Sequence, residues 1–218
     1  MATAIKAIFF DIGGPLVEKT KYPERDREAF SEMATLLNLD CPADELLDRI
    51  NKGQQAYKAW CERTLNELTI EEKWAKFLLP DVDQSLVRKL APQLQQLWRK
   101  SKGVARIKDN VLPVLREIEQ RGYILGTISH STPAYLDEGG ISDLLCVRVH
   151  SPEFGKRKPH PSLFNEAAHT CGLAPHECAY VGDNPRLDVV GPREAGFGSV
   201  ILMKNGGSEA GTRVSVLQ

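Results

Sequence analysis

No apolar run in this 218-residue chain approaches the ~20 residues that a membrane-spanning helix needs. The first residues also lack the basic, apolar and small-residue layout of a secretory signal. The expectation is a cytoplasmic protein with no membrane partner. No charge of one sign dominates either: 28 basic side chains stand against 29 acidic ones, for a net charge of -1. Without a basic field to hold nucleic acid, any anion has to be bound locally, by a few residues in a cleft. The five cysteines (Cys41, Cys61, Cys146, Cys171 and Cys178) are scattered and show no CxxC spacing. That argues against a disulfide framework and a zinc site, and for free thiols in a reducing compartment. No internal repeat is present.

What is there is a run of four apolar residues that ends on an acid: Ile8, Phe9, Phe10 and Asp11, after Ala7, with Gly13, Gly14 and Pro15 close behind. It reads as a buried parallel strand whose carboxyl end carries Asp11, followed by a tight reversal. Open α/β sheets place their ligands at that end of the strand. From about Tyr22 to Trp98 strand signals give way to helical periodicity. The stripes are Phe30, Met33, Ala34 and Leu37; Leu46, Ile50, Tyr57 and Trp60; Ile70, Trp74 and Phe77 behind a Thr69/Glu72 capping pair; and Leu86, Leu90, Leu94 and Leu97 from Asp83 on. Trp60, Trp74 and Trp98 read as the core of this helical block.

Beyond Gly103 strands and helices alternate. A helix capped by Asp109 or Asn110 runs to Arg121, and a strand from Tyr123 ends at Ser129-His130. A helix starts near Thr132-Pro133, and a strand spans Leu144 to Val149. A helix covers Pro161 to Cys171, and a strand from Cys178 ends at Gly182-Asp183. A helix covers Pro185 to Ala195, bent at Gly191-Pro192, and a last strand covers Ser199 to Met203. The stretch from Asn205 to Thr212, rich in Gly and Ser, reads as a mobile segment. The alternation argues a Rossmann-like α/β fold, a parallel sheet with helices on both faces. The expected division is an α/β core over residues 1–16 and 105–218, with a four-helix cap over 17–104. A block inserted next to the strand ends is suited to choosing a substrate and excluding water.

Parallel strands bring Asp11, Ser129, Lys158 and the Asp183/Asp188 pair to one sheet edge. Two carboxylates, a hydroxyl and an ammonium suit Mg²⁺ and a phosphate. In order along the chain, Asp11-Ile12-Gly13-Gly14-Pro15, Ser129-His130, Glu153-Phe154-Gly155-Lys156-Arg157-Lys158-Pro159 and Gly182-Asp183 with Asp188 resemble the four motifs of the haloacid dehalogenase (HAD) superfamily with a helical cap after the first motif. The resemblance implies Asp11 as nucleophile, with Ser129 and Lys158 completing the catalytic set. It implies Mg²⁺ held by Asp11, the Gly13 carbonyl and Asp183, and Asp188 in support. His130 stands where the family usually has Asn.

The chain departs from the family at Gly13, where phosphatases carry a second Asp that protonates the leaving oxygen. A general acid contributes ~10²–10⁴-fold. Three readings follow: another proton carrier, such as His130, His160, Glu18 of the cap or the substrate itself; dehalogenase- or phosphonatase-like chemistry that uses no acid there; or a weakly catalytic, ligand-binding or regulatory protein. The leading expectation is a Mg²⁺-dependent hydrolase of phosphatase type, with a small phosphorylated metabolite as its partner.

Overall fold

The computed structural model describes residues 4–20, 23–131, 134–204 and 213–217. The chain divides into two compact units, Met1–Glu18 with Arg106–Gln218, and Lys19–Ala105. The first is an α/β unit. Its elements begin with β1 (Ala7–Phe10), and the chain then enters β2 (Val17–Thr20). The second unit carries α1 (Pro23–Leu36), α2 (Ala43–Thr64), α3 (Ile70–Lys73), which widens into a π turn at Trp74–Leu78, and α4 (Gln84–Ser101). The remainder is β3 (Val104–Ile107), α5 (Val111–Gln120), β4 (Ile124–Ser129), α6 (Ala134–Glu138), β5 (Val147–His150), α7 (Ser151–Phe154), α8 (Pro161–Thr170), β6 (Cys178–Gly182), α9 (Pro185–Asp188), α10 (Val190–Glu194), β7 (Ser199–Lys204) and β8 (Arg213–Leu217).

Among the described residues six strands form one sheet in the order β5-β4-β1-β6-β7-β8. The first five are parallel and β8 is antiparallel to β7. β1 lies centrally, with Phe9 level with Gly126 on β4 and Tyr180 on β6. Successive side chains of a strand face opposite sides, so Phe9 and Phe10 supply different faces. Phe9 and Tyr180 join Leu163, Phe164, Ala167 and Ala168 of α8 in one buried cluster. This registry brings the ends of β1, β4 and β6 together, at Asp11, Ser129 and Gly182-Asp183.

The helical unit is built around Phe30, Met33, Leu46, Ile50, Trp74, Leu78, Val87 and Leu94, all buried. Trp74 is fully enclosed and packs edge-on to Trp98 at 6.3 Å, while Trp60 stands beside Tyr57 and Phe77. The Thr69 hydroxyl accepts the Glu72 N–H at 3.3 Å, and the Asp83 carboxylate accepts the Leu86 N–H at 2.8 Å, so both expected helix starts are capped. Gly53 is required by close packing: a Cβ there would lie 2.2 Å from the Phe77 carbonyl oxygen.

Several elements differ from the sequence expectation. β2 and β3, for which no element was expected, form a separate two-stranded sheet at the entry to and exit from the helical unit. The strand expected over Leu144 to Val149 begins only at Val147, after a 3-10 turn over Ser142–Leu144. The Arg148 guanidinium bonds the Leu145 and Ser142 carbonyls, at 3.1 and 2.6 Å, and closes that turn. The helix expected over Pro185 to Ala195 is two short helices that meet at Val189. Pro192 has no N–H to give to residue 188, and Gly191 has to accommodate the Phe164 ring. β8 was not expected. Asn110 precedes α5 without a side-chain cap. Thr132-Pro133 and the stretch from Asn205 to Thr212 lie outside the described residues.

Candidate active site

Asp11 is the first residue past β1, anchored by its N–H to the Val181 carbonyl at 2.9 Å. Its Oδ1 accepts the Ile12 N–H at 2.7 Å and the Ser129 hydroxyl at 2.6 Å. Its Oδ2 lies 3.1 Å from the Lys158 ammonium. Ser129, at the end of β4, accepts the Ser131 N–H at 3.1 Å through the same oxygen that donates to Asp11. The carboxylate is therefore held in one orientation, with both oxygens engaged.

Lys158 is 2% exposed, and its charge is met on several sides. It donates to Asp188 Oδ1 at 2.7 Å and to the Tyr180 hydroxyl at 2.8 Å. Asp188, 1% exposed, uses its other oxygen to accept the Asp183 and Asn184 N–H groups at 3.1 and 2.9 Å. Its role here is a brace: one oxygen seats Lys158 and the other shapes the turn that presents Asp183. A buried charge needs this degree of pairing to persist.

Oxygens of Asp11, Asp183 and Asp188 come within 4.8 Å of one another. Burial, then the charges of Asp11 and Asp188, push the Asp183 carboxyl above its ordinary range, and Lys158 only partly offsets them. Three carboxylates thus face one ammonium. Hard oxygen donors with a local excess of negative charge are the donor set that a divalent cation such as Mg²⁺ fits.

The turn after Asp11 is tightly bonded. Gly14 N–H reaches the Val17 carbonyl at 3.2 Å, Val17 N–H reaches the Ile12 carbonyl at 3.0 Å, and Gly13 bridges to Val17. Gly14 has φ +87, and a Cβ on it would lie 2.0 Å from Asp183 Oδ2. The backbone itself forms one wall of the carboxylate cluster. At Gly13, by contrast, nothing lies within 4 Å of where a Cβ would be, so the position of the family's second acid is open space.

The groups considered as substitute proton carriers all have other partners. His130 accepts the Lys158 backbone N–H at Nε2, 2.8 Å away, and the Arg157 guanidinium lies 3.0 Å from Nδ1. Burial, then the charges of Arg157 and Lys158, lower its pKa to about 2. His130 is therefore neutral near pH 7, with its Nε2 bonded to the Lys158 backbone. His160 caps α8, its Nδ1 meeting Ser162 N and Oγ at 3.2 and 2.7 Å. Glu18 forms an ion pair with Arg106 within the same compact unit.

Asp11, Ser129, His130, Lys158, Asp183 and Asp188 are joined by this network, and Gly13 belongs to the turn beside it. Tyr180 is the member the sequence reading missed. It is fully buried, and its hydroxyl also reaches the Ile128 carbonyl at 2.8 Å. A tyrosine in the otherwise apolar strand Cys178–Gly182 was the available signal, because a buried phenol needs a polar partner.

The haloacid dehalogenase-like hydrolase family matches this chain over residues 5–196. A glyceraldehyde 3-phosphate phosphatase of Methanopyrus kandleri is 28% identical over 208 residues, 92% of this chain and 84% of that protein. A HAD phosphatase from Thermococcus onnurineus superposes with a TM-score of 0.61 at 19% identity, covering 94% of this chain and 89% of that one. A 2-haloacid dehalogenase from Pseudomonas syringae does so with 0.62 at 22%, covering 88% and 84%. Phosphatase and dehalogenase share the fold equally, so the fold alone does not choose between them. The family match runs from the strand that delivers Asp11 to the turn after α10, and on it this chain belongs to the haloacid dehalogenase-like hydrolases.

Proposed function

We propose that this hydrolase is a Mg²⁺-dependent phosphatase that acts on a small phosphorylated metabolite through Asp11. The observation that carries the reading is the seating of Asp11 between Ser129 and Lys158, with the Asp183 and Asp188 carboxylates alongside. Asp11 and Asp183 are the side chains that would hold Mg²⁺, with the Gly13 carbonyl as the donor the family resemblance adds. Bound there, the ion would neutralise charge on the phosphoryl oxygens.

The chain's own residues supply the rest. An Asp11 oxygen attacks phosphorus, the bond from phosphorus to the ester oxygen breaks, and an aspartyl phosphate forms. The Lys158 ammonium, 3.1 Å from Asp11 Oδ2, offsets charge on the transferring group, and Ser129 fixes the direction of attack. Water then attacks phosphorus, the bond to Asp11 breaks, and phosphate leaves. With Gly13 in place of an acid, the departing oxygen takes its proton from solvent or from the substrate. The reading therefore favours substrates whose leaving oxygen is itself acidic. The 28% identity to an enzyme named glyceraldehyde 3-phosphate phosphatase supports a small phosphate ester. Substrate choice is assigned to the helical unit, acting as a cap.

A second reading rests on the open space at Gly13. Phosphonatase- or dehalogenase-type chemistry needs no acid at that position, and a protein that binds phosphorylated ligands with little turnover needs none either. The Asp183 and Asp188 pair weighs against the dehalogenase version, which needs no metal. A panel of phosphate esters, with and without Mg²⁺ and with Asp11→Asn as control, tests the proposal. Mg²⁺-dependent phosphate release lost in Asp11→Asn is the expected result; silence across the panel would overturn it.

A further inference from the structure

We infer that Lys108 is a positioning residue for the Asp11–Asp183 site, acting from outside it on the backbone of the Gly13-Gly14 turn. The inference rests on the metal-assisted reading of that site. Lys108 follows β3 and holds the turn twice: its backbone N–H donates to the Leu16 carbonyl at 3.1 Å, and its ammonium donates to the Gly14 carbonyl. Gly14 is the residue whose Cα side abuts the Asp183 carboxylate, so closely that a Cβ would stand 2.0 Å from Oδ2. The same turn carries the Gly13 carbonyl.

A chain of direct contacts therefore runs from the Lys108 ammonium to the Gly14 peptide and on to Asp183. The turn carries little side-chain packing of its own at Gly13 and Gly14, so its shape depends on backbone bonds. Withdrawing the ammonium removes the bond to the Gly14 carbonyl and leaves the turn its backbone bonds alone, so the wall against Asp183 and the adjoining Gly13 carbonyl lose part of their support.

Lys108 also lines a cavity of about 420 Å³ with Phe10, Leu16, Val111, Leu115 and Met203. Methionine can follow the lysine stem along that apolar wall and removes only the charged head. Arg106 lines the same cavity, but its guanidinium pairs with Glu18 and Asp109.

The test compares wild type, Lys108→Met, Lys108→Arg and Arg106→Ala by calorimetric Mg²⁺ titration and by steady-state kinetics on p-nitrophenyl phosphate. Loss of an outer residue that orients metal ligands typically costs ~10–100-fold in metal affinity or activity. Lys108→Met is expected to weaken Mg²⁺ binding about tenfold and to lower kcat with little change in KM. Lys108→Arg should recover most of both, and Arg106→Ala should match wild type. If Lys108→Met does not fold, Lys108→Gln carries the comparison. Unchanged Mg²⁺ affinity and kcat in Lys108→Met, or equal losses in Arg106→Ala, overturn the inference. Wild type that binds Mg²⁺ but releases no phosphate sinks the phosphatase reading alone, and the titration still decides on Lys108. Wild type that binds no Mg²⁺ overturns both.

Discussion

The Tyr180 hydroxyl accepts from the Lys158 ammonium at 2.8 Å and reaches the Ile128 carbonyl, one residue before Ser129, at 2.8 Å. One phenol thus ties the lysine that faces Asp11 to the strand end that carries its serine. Tyr180→Phe keeps the ring packed against Phe164 and removes this tie, together with the 3.3 Å contact of the hydroxyl with Asp188 Oδ1. The expected cost is about 1–3 kcal/mol of stability, because a buried carbonyl and a buried ammonium each lose a partner. The kcat should fall several-fold while KM stays. Urea unfolding alongside kinetics checks both; a stability loss with unchanged kcat would leave Tyr180 as packing only.

Asp183 yields a pH-dependent expectation. Its carboxyl is pushed up by burial and by Asp11 and Asp188, so the folded protein holds its proton more tightly than the unfolded chain. Between the unfolded value near ~3.9 and the raised folded value, the folded state binds more protons. Stability from this group is present at low pH and is lost as pH rises through the folded value. At neutral pH without metal, Asp183→Asn should therefore raise the melting temperature, and the gain should shrink on acidification. Added Mg²⁺ should raise the melting temperature of wild type and not of the variant. A variant that melts below wild type at pH 7 without metal would show that Asp183 is held by contacts stronger than this repulsion.

The fold and the site were legible to different depths, for local reasons. β1 could be read because Ala7 to Phe10 is continuously apolar and ends on a single acid. Asp11, Ser129, Lys158 and Asp183 could be placed because parallel strands share one carboxyl edge, which follows from topology without coordinates. β2 and β3 could not: they are four residues each, Val17-Glu18-Lys19-Thr20 and Val104-Ala105-Arg106-Ile107, and their order comes from pairing with each other. Two apolar residues ahead of β5, Leu144 and Leu145, imitate strand, and it takes the Arg148 guanidinium to close them into a turn. Tyr180 and Lys108 were hidden for the same reason: each acts through a contact with a distant residue, and neither has a spacing that marks it. His130 could be located, but its neutrality depends on burial and then on Arg157 and Lys158, which sequence does not give.

His130 separates two roles by experiment. Its imidazole accepts the Lys158 N–H, and its pKa is depressed, first by burial and then by Arg157 and Lys158. The unfolded chain binds a proton there below ~6.5 and the folded protein does not. The stability this group contributes is therefore full above the unfolded value and is lost as pH falls toward the folded one. His130→Asn, which keeps an acceptor and does not titrate, should retain activity and flatten the loss of stability between about pH 6.5 and 4. His130→Ala leaves the Lys158 N–H without its acceptor and should lower kcat. Activity lost in His130→Asn, with an acidic limb missing from the pH–rate profile, would reinstate His130 as a proton carrier.

The adjacent glycines of the first turn should answer substitution in opposite ways. At Gly14 an alanine methyl would stand 2.0 Å from Asp183 Oδ2, on a backbone with φ +87. Gly14→Ala should cost more than ~1 kcal/mol of stability and weaken Mg²⁺ binding, because Asp183 has to move. At Gly13 nothing lies within 4 Å of the new Cβ, so Gly13→Asp meets no steric obstacle. If the missing acid is what limits phosphate ester hydrolysis, Gly13→Asp should raise kcat by ~10²–10⁴-fold. The gain should be largest for alkyl phosphates, whose leaving oxygen needs a proton most, and smallest for aryl phosphates. Comparing the two substrate classes distinguishes a restored acid from a general change in the site. An equal rise on both, or none, would mean that this site runs a chemistry in which the departing group needs no proton from position 13.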